Sequence, residues 1–212
     1  MIILFGAQKG GCGKSTLAIN FAAVLARAGA DVILVDADRQ ATSANWCADR
    51  SQNPELPRVN CVQRYDNIRD TLLDLRGRYQ YVIVDAAGRD SRELRTGMTA
   101  ADILVVPFRP SQPDLDTLPA LDAIVEQALD INPDLMVFAA LTMAPTNPTI
   151  DEVREAREYL ADYPKFRFLK TIISDRKSYR DAMSEGLSVV EMKNPKAAGE
   201  IDVLVQEVLS HG

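Results

Sequence analysis

The chain contains a single histidine and three cysteines in 212 residues, and each scarcity excludes a class of chemistry. His211 stands next to the last residue, where it reads as a frayed terminal side chain rather than a catalytic one. The cysteines, Cys12, Cys47 and Cys61, are odd in number and lack C-x-x-C spacing. A disulfide framework or a zinc site needs a pattern that is missing here, so they are expected to be buried free thiols in a reducing compartment. Positive charge is not in surplus: 24 Lys and Arg face 30 Asp and Glu, a net charge of −6. That argues against a basic coat but leaves room for a local basic face. No apolar run approaches the roughly 18 residues that span a bilayer, and the chain opens directly on an apolar run without a basic leader. A cytoplasmic protein is expected. Repeats, low-complexity segments and linkers are also missing, so residues 1–212 are expected to form one domain.

What is present is a series of short apolar runs: Ile2–Phe5, Val32–Val35, Tyr81–Val84, Ile103–Val106, Met136–Leu141 and Phe168–Ile173. Each is too short for a typical helix and lacks strict alternation, as expected of strands covered on both faces. Helical spacing lies between them, at Leu17–Ala28, Ile68–Leu75, Leu118–Leu129 and Asp151–Leu160. Strands alternating with helices predict a doubly wound α/β domain with a mainly parallel sheet. In such sheets ligands sit beyond the carboxyl ends of the strands.

The segment after the first run reads GAQKGGCGKST, Gly6–Thr16. Gly10, Gly11 and Gly13 let backbone N–H groups close on phosphate oxygens, and the following helix adds its partial positive charge. Lys14 is placed for β- and γ-phosphates and Ser15 for Mg²⁺, with Cys12 and Thr16 completing the phosphate-binding set. Two features depart from the standard loop: Gln8 stands where its first glycine belongs, and a second lysine, Lys9, follows it. The second run ends in Asp36-Ala37-Asp38, two acids that point the same way along an extended chain. One would serve the Mg²⁺ water shell and the other an attacking water. The third run ends in Asp85-Ala86-Ala87-Gly88, a Walker B pattern whose Asp85 would bind Mg²⁺. Gly88 would let the backbone approach a γ-phosphate.

Together these motifs resemble the ParA/MinD family of deviant-Walker ATPases. Lys9, Gly10, Gly11, Lys14 and Ser15 match its K-G-G-x-x-K-[ST] loop. Asp36 and Asp38 match its D-x-D-P-Q switch, with Arg39 in place of the proline. The tail, with Ser178-Tyr179, Gly186-Leu187-Ser188-Val189 and Lys196–Ile201, is similar to the small, ParF-like partition ATPases. The resemblance implies that Lys9 crosses a homodimer interface to the partner's nucleotide, so that two ATP are sandwiched between subunits. An ammonium with no acid beside it in the loop suits that use. It also implies that Asp38 positions the hydrolytic water and that slow hydrolysis times the dimer. The ATP dimer would bind nucleoid DNA without sequence preference, and a ParB-like centromere-binding adaptor would stimulate hydrolysis.

Adenine recognition is expected at strand ends, from Pro145 and Asn147 or from the Pro107–Pro113 segment; no N-K-x-D signature points to guanine. For DNA the local hint is Lys165–Lys196, with eight Lys and Arg against four acids, in which Arg176, Lys177 and Arg180 are the candidate contacts. The tail Gly199–Gly212 is apolar and acidic with no Lys or Arg, so it is expected to pack on the sheet rather than bind a membrane. The leading expectation is DNA segregation of a plasmid or chromosome. The alternative keeps the cycle but moves a protein cargo. A biosynthetic ligase on the same scaffold lacks a second catalytic constellation, and an iron-protein reductase lacks cysteines after Cys61.

Overall fold

The computed structural model describes residues 1–147 and 151–211. Seven strands form one sheet: β1 (Ile2–Ala7), β2 (Val32–Ala37), β3 (Asn60–Gln63), β4 (Tyr81–Gly88), β5 (Ile103–Phe108), β6 (Met136–Ala144) and β7 (Arg167–Ser174). Their order is β3-β2-β4-β1-β5-β6-β7, and every pair is parallel. Six of the seven correspond to the apolar runs. The seventh, β3, is an edge strand with no fully buried residue, and its NCVQ sequence carries too little apolar signal to be seen alone.

The strands are apolar throughout because both faces are covered. Ile2 and Leu4 of β1 enter one core, and Ile3 and Phe5 enter the other. The first core is closed by α3 (Arg69–Arg76), α4 (Arg92–Met98), α6 (Leu118–Leu129) and α7 (Glu152–Leu160), with a short α5 (Gln112–Leu115) ahead of α6. The second is closed by α1 (Lys14–Arg27), α2 (Thr42–Arg50), α8 (Lys177–Ser184) and α9 (Pro195–Leu209). α1 runs beneath the sheet centre, buries Leu17, Ile19, Phe21 and Leu25, and sets Phe21 edge-on to Phe5 at 5.6 Å. Gly29, at φ +82°, turns the chain out of α1.

The tail packs on the sheet as expected, up to residue 211; Gly212 lies outside the described residues. Ile201, Leu204, Val205 and Val208 of α9 are buried, and two of its acids, Glu200 and Glu207, bond to β7. Glu207 accepts the N–H groups of Lys170 and Thr171 at 2.6 and 3.0 Å, which satisfies donors on the open edge of β7. α2 is fastened by Arg50, whose guanidinium meets Glu191 at 2.6 Å with both side chains buried. Among the described residues no helix is long and apolar enough to cross a membrane. All three cysteines are free, Cys12 and Cys47 buried and Cys61 half-buried.

Candidate active site

The carboxyl ends of β1, β2, β4 and β6 surround a cavity of about 650 Å³ lined by Gly10, Gly11, Gly13, Lys14, Ser15, Thr16, Asp38, Arg39, Gly88, Arg89 and Met143, among others. Its floor is the loop between β1 and α1. Gly11 and Gly13 take φ of +72° and +95°, which an L side chain rarely adopts. Gly13 thereby delivers the chain into α1, which begins at Lys14, earlier than the Leu17 expected from the apolar spacing. Thr142 braces the loop by donating its hydroxyl to the Cys12 carbonyl at 2.7 Å. Arg109 donates its guanidinium to the Gly11 carbonyl.

Lys14 is nearly buried, and its ammonium donates to the Lys9 carbonyl at 2.9 Å. Gly88 presses on it: a Cβ there would lie 2.6 Å from Lys14 Nζ and 2.7 Å from the Lys9 oxygen. The glycine expected near a γ-phosphate therefore also lets β4 close against the loop itself. The sequence placed no acid beside Lys9, yet the chain supplies one 105 residues away. Lys9 Nζ donates to Asp114 Oδ2 at 2.7 Å, and Asp114 is buried at the start of α5, where it also accepts the Arg109 N–H. The contact is long-range and spacing gives no sign of it.

The two acids of the second strand do not point alike. Asp36 is fully buried; its oxygens accept the N–H groups of Asp38 and Ala44 at 3.0 and 2.8 Å, which ties β2 to the start of α2. The strand ends at Ala37 and the chain turns there, so Asp38 comes to the cavity wall, half-exposed. Asp85 pairs in register with Asp36 and is fully buried. Its Oδ2 accepts the Ser43 hydroxyl at 2.7 Å, while Oδ1 has no hydrogen-bond partner. Burial pushes the Asp85 carboxyl up to about 7, the Ser15 and Ser43 hydroxyls oppose the shift, and Asp36 adds to it. A buried carboxylate oxygen left without a donor, near the Ser15 and Ser43 hydroxyls, offers the oxygen donors that a hard cation fits.

That shift has a consequence in the absence of metal. The folded state binds a proton that the unfolded chain releases near the ordinary carboxylate value, so stability falls as pH rises from about 4 to 7. Asp85→Asn is expected to raise the melting temperature of the metal-free protein by roughly 5 °C at pH 8 and far less at pH 4.5. Thermal unfolding with chelator checks it, and an equal or lower value at pH 8 would refute the charge burial.

The remaining expected residues lie apart. Pro145 and Asn147 follow β6 but line neither the phosphate cavity nor the smaller pocket beside it. That pocket, about 70 Å³, runs past Thr16 and Met143 to Ser174, Arg176, Tyr179 and Arg180. Arg176 is held by Glu200 at 2.7 Å, and Tyr179 donates to the same carboxylate. Lys177 and Arg180 are exposed and pair with Asp181 and Asp175 at 2.9 and 2.8 Å. Ser43, Asp114 and Thr142 escaped the sequence reading, and Arg109 entered it only as part of the Pro107–Pro113 segment.

Comparison with known proteins agrees with this geometry. Residues 1–131 match the family described as ATPase MipZ. The chain is 30% identical over 209 residues to the "maintenance of carboxysome distribution protein A" of Halothiobacillus neapolitanus, covering 95% of this chain and 93% of that one. It is 26% identical to the sporulation initiation inhibitor protein Soj of Bacillus subtilis, covering 100% and 99%. Among solved structures, apo McdA of Cyanothece superposes with a TM-score of 0.79 at 17% identity, covering 98% of both chains. The cell division ATPase MinD of Pyrococcus furiosus gives 0.75 at 16%, covering 100% and 99%. The two-lysine loop, the D-x-D strand end, the buried Asp85 and these likenesses converge: the chain belongs to the ParA/MinD family of deviant-Walker ATPases.

Proposed function

We propose that this chain is an ATP-dependent dimer switch that rides on DNA and positions a cargo. The observation that carries the reading is Lys9, a second loop lysine next to the phosphate-binding glycines, half-exposed and paired with Asp114. In this reading the backbone N–H groups of residues 10–13 and the Lys14 ammonium hold the phosphates, with Thr16 next along the helix. Ser15 and Asp85 hold Mg²⁺, and Asp36 steadies the strand behind them. Held there, Mg²⁺ would supply charge neutralisation to the phosphates. Asp38, at the cavity wall, orients the water. Lys9 leaves Asp114 and reaches the nucleotide of a second subunit.

For the cargo, a protein assembly is the better-supported choice. The relatives from Halothiobacillus neapolitanus and Gloeobacter kilaueensis, at 30% and 32% identity, are both named for carboxysome distribution. An adaptor on the assembly would then stimulate hydrolysis. The second reading is DNA segregation with a ParB-like centromere-binding adaptor. It is supported by the chromosome partitioning protein ParA of Myxococcus xanthus, at 28% identity over 74% of this chain. Deleting the gene separates the two, by dispersal of a protein cluster under the microscope or by loss of plasmid or chromosome retention.

Both readings put the ATP dimer on the nucleoid. The DNA face is Lys177 and Arg180 with Lys193 and Lys196, all exposed. Arg176, locked to Glu200, serves the fold of that face rather than the DNA. DNA affinity is expected only with ATP and is expected to fall steeply with salt. Lys177→Glu with Arg180→Glu should weaken it about 10-fold or more at low salt while ATP affinity stays the same. Fluorescence anisotropy on an arbitrary duplex across a salt series checks this; an unchanged affinity would reject the face.

A further inference from the structure

We propose that Arg89 contacts the terminal phosphate of the nucleotide in this chain's own cavity, an inference that rests on the nucleotide reading above. Arg89 directly follows Gly88, the last residue of β4, and its N–H closes a tight turn onto the Ala87 carbonyl at 3.0 Å. The residue lines the cavity together with Lys14, Gly10 and Asp38, and it is exposed. Its position is fixed by its neighbour: a Cβ on Gly88 would lie 2.6 Å from Lys14 Nζ and 2.8 Å from Gly10 Cα, so the segment carrying Arg89 is in contact with the phosphate loop.

The cations around this cavity differ in how they are engaged. Lys14 donates to the Lys9 carbonyl, Lys9 to Asp114, and Arg109 to the Gly11 carbonyl. Arg39 stacks 4.8 Å over the Tyr65 ring and lies 3.8 Å from Asp66. Arg89 alone of this group has a side chain with no hydrogen bond, ion pair or ring contact among the described residues. The nearest acid in sequence does not neutralise it, because both oxygens of Asp90 accept from Arg95, at 2.6 and 2.8 Å. An unengaged guanidinium in the wall of this cavity keeps all its donors free for an anion that enters. It also differs in kind from Lys14: it is planar, weakly hydrated and able to grip two oxygens of one phosphoryl group.

The step it assists is hydrolysis. The water oxygen forms a bond to the terminal phosphorus while the bond to the bridging oxygen breaks. The bonding pair leaves with ADP, and the water proton is released to solvent. Negative charge spreads over the equatorial oxygens during that exchange, where a forked donor gains most.

Arg89→Ala, Arg89→Lys and wild type should be compared for ADP affinity, ATP affinity and turnover of bound ATP, with Mg²⁺ present. In Arg89→Ala, ADP affinity and melting temperature are expected to stay near wild type, because the exposed side chain makes no hydrogen bond or ion pair among the described residues. ATP affinity should drop about 10-fold and turnover about 100-fold, with partial recovery in Arg89→Lys. Arg89→Ala that binds and hydrolyses ATP like wild type would overturn the role of Arg89 alone. Wild type that binds no ATP would overturn the nucleotide reading and this inference with it.

Discussion

Lys14→Ala is expected to abolish nucleotide binding, with affinity for ATP falling at least about 100-fold. Lys14 is the first residue of α1 and 6% exposed, so its ammonium is already stripped of most of its water. In the nucleotide-free state it recovers one backbone acceptor, the Lys9 carbonyl, and sits among the field of Asp85. A polyphosphate offers it charged acceptors in a site of low dielectric, where each bond is worth about 1.5–3 kcal/mol. Two such bonds account for the expected loss. Alanine is the best helix former and leaves the backbone of the loop free to fold. The variant should therefore stay folded by circular dichroism while titration calorimetry shows no ATP heat. Near-normal ATP binding would remove Lys14 from the phosphate site.

Lys9→Ala is expected to separate binding from assembly: ATP affinity within a few fold of wild type, and no ATP-dependent dimer. The phosphate contacts of the loop come from its backbone and from Lys14, none of which needs the Lys9 side chain. In the single chain that side chain is 38% exposed and spends its charge on Asp114, which is 3% exposed. To reach another subunit's phosphates it must leave Asp114 carrying a buried charge, with the Arg109 N–H and the Ser111 hydroxyl as remaining donors. That cost ties assembly to the presence of a triphosphate strong enough to offset it. Sedimentation velocity with ATP and Mg²⁺ distinguishes the outcomes. A Lys9→Ala dimer of normal strength would show that the lysine acts only within its own subunit.

Much of this site was legible in the chain because the physics is local. A phosphate loop needs glycines at positive φ directly between a strand and a helix, and Gly11 and Gly13 show that need in the spelling itself. Strands buried on both faces announce themselves as apolar runs, which is why six were visible and the polar edge strand β3 was not. α2 and α8 were missed for a related reason: each is short and buries few apolar side chains, Trp46 and Cys47 beside the polar Ser43 and Arg50 in one and Tyr179 and Ala182 in the other. What stayed hidden depends on contacts between distant segments. Asp114 opposite Lys9, Ser43 on Asp85 and Glu200 on Arg176 join residues that no spacing rule connects. Glu200 matters most for the functional reading, because it draws Arg176 out of a basic face that the charge count had made look uniform.

In the proposed cycle ATP controls whether this chain stands alone or in pairs, and light scattering on the wild-type protein tests that control most directly. Mass is measured at one protein concentration without nucleotide, with ADP and Mg²⁺, and with ATP and Mg²⁺. The mass of one chain is expected in the first two conditions and of two chains in the third, returning to one as ATP is consumed. The same mass in all three conditions would contradict it.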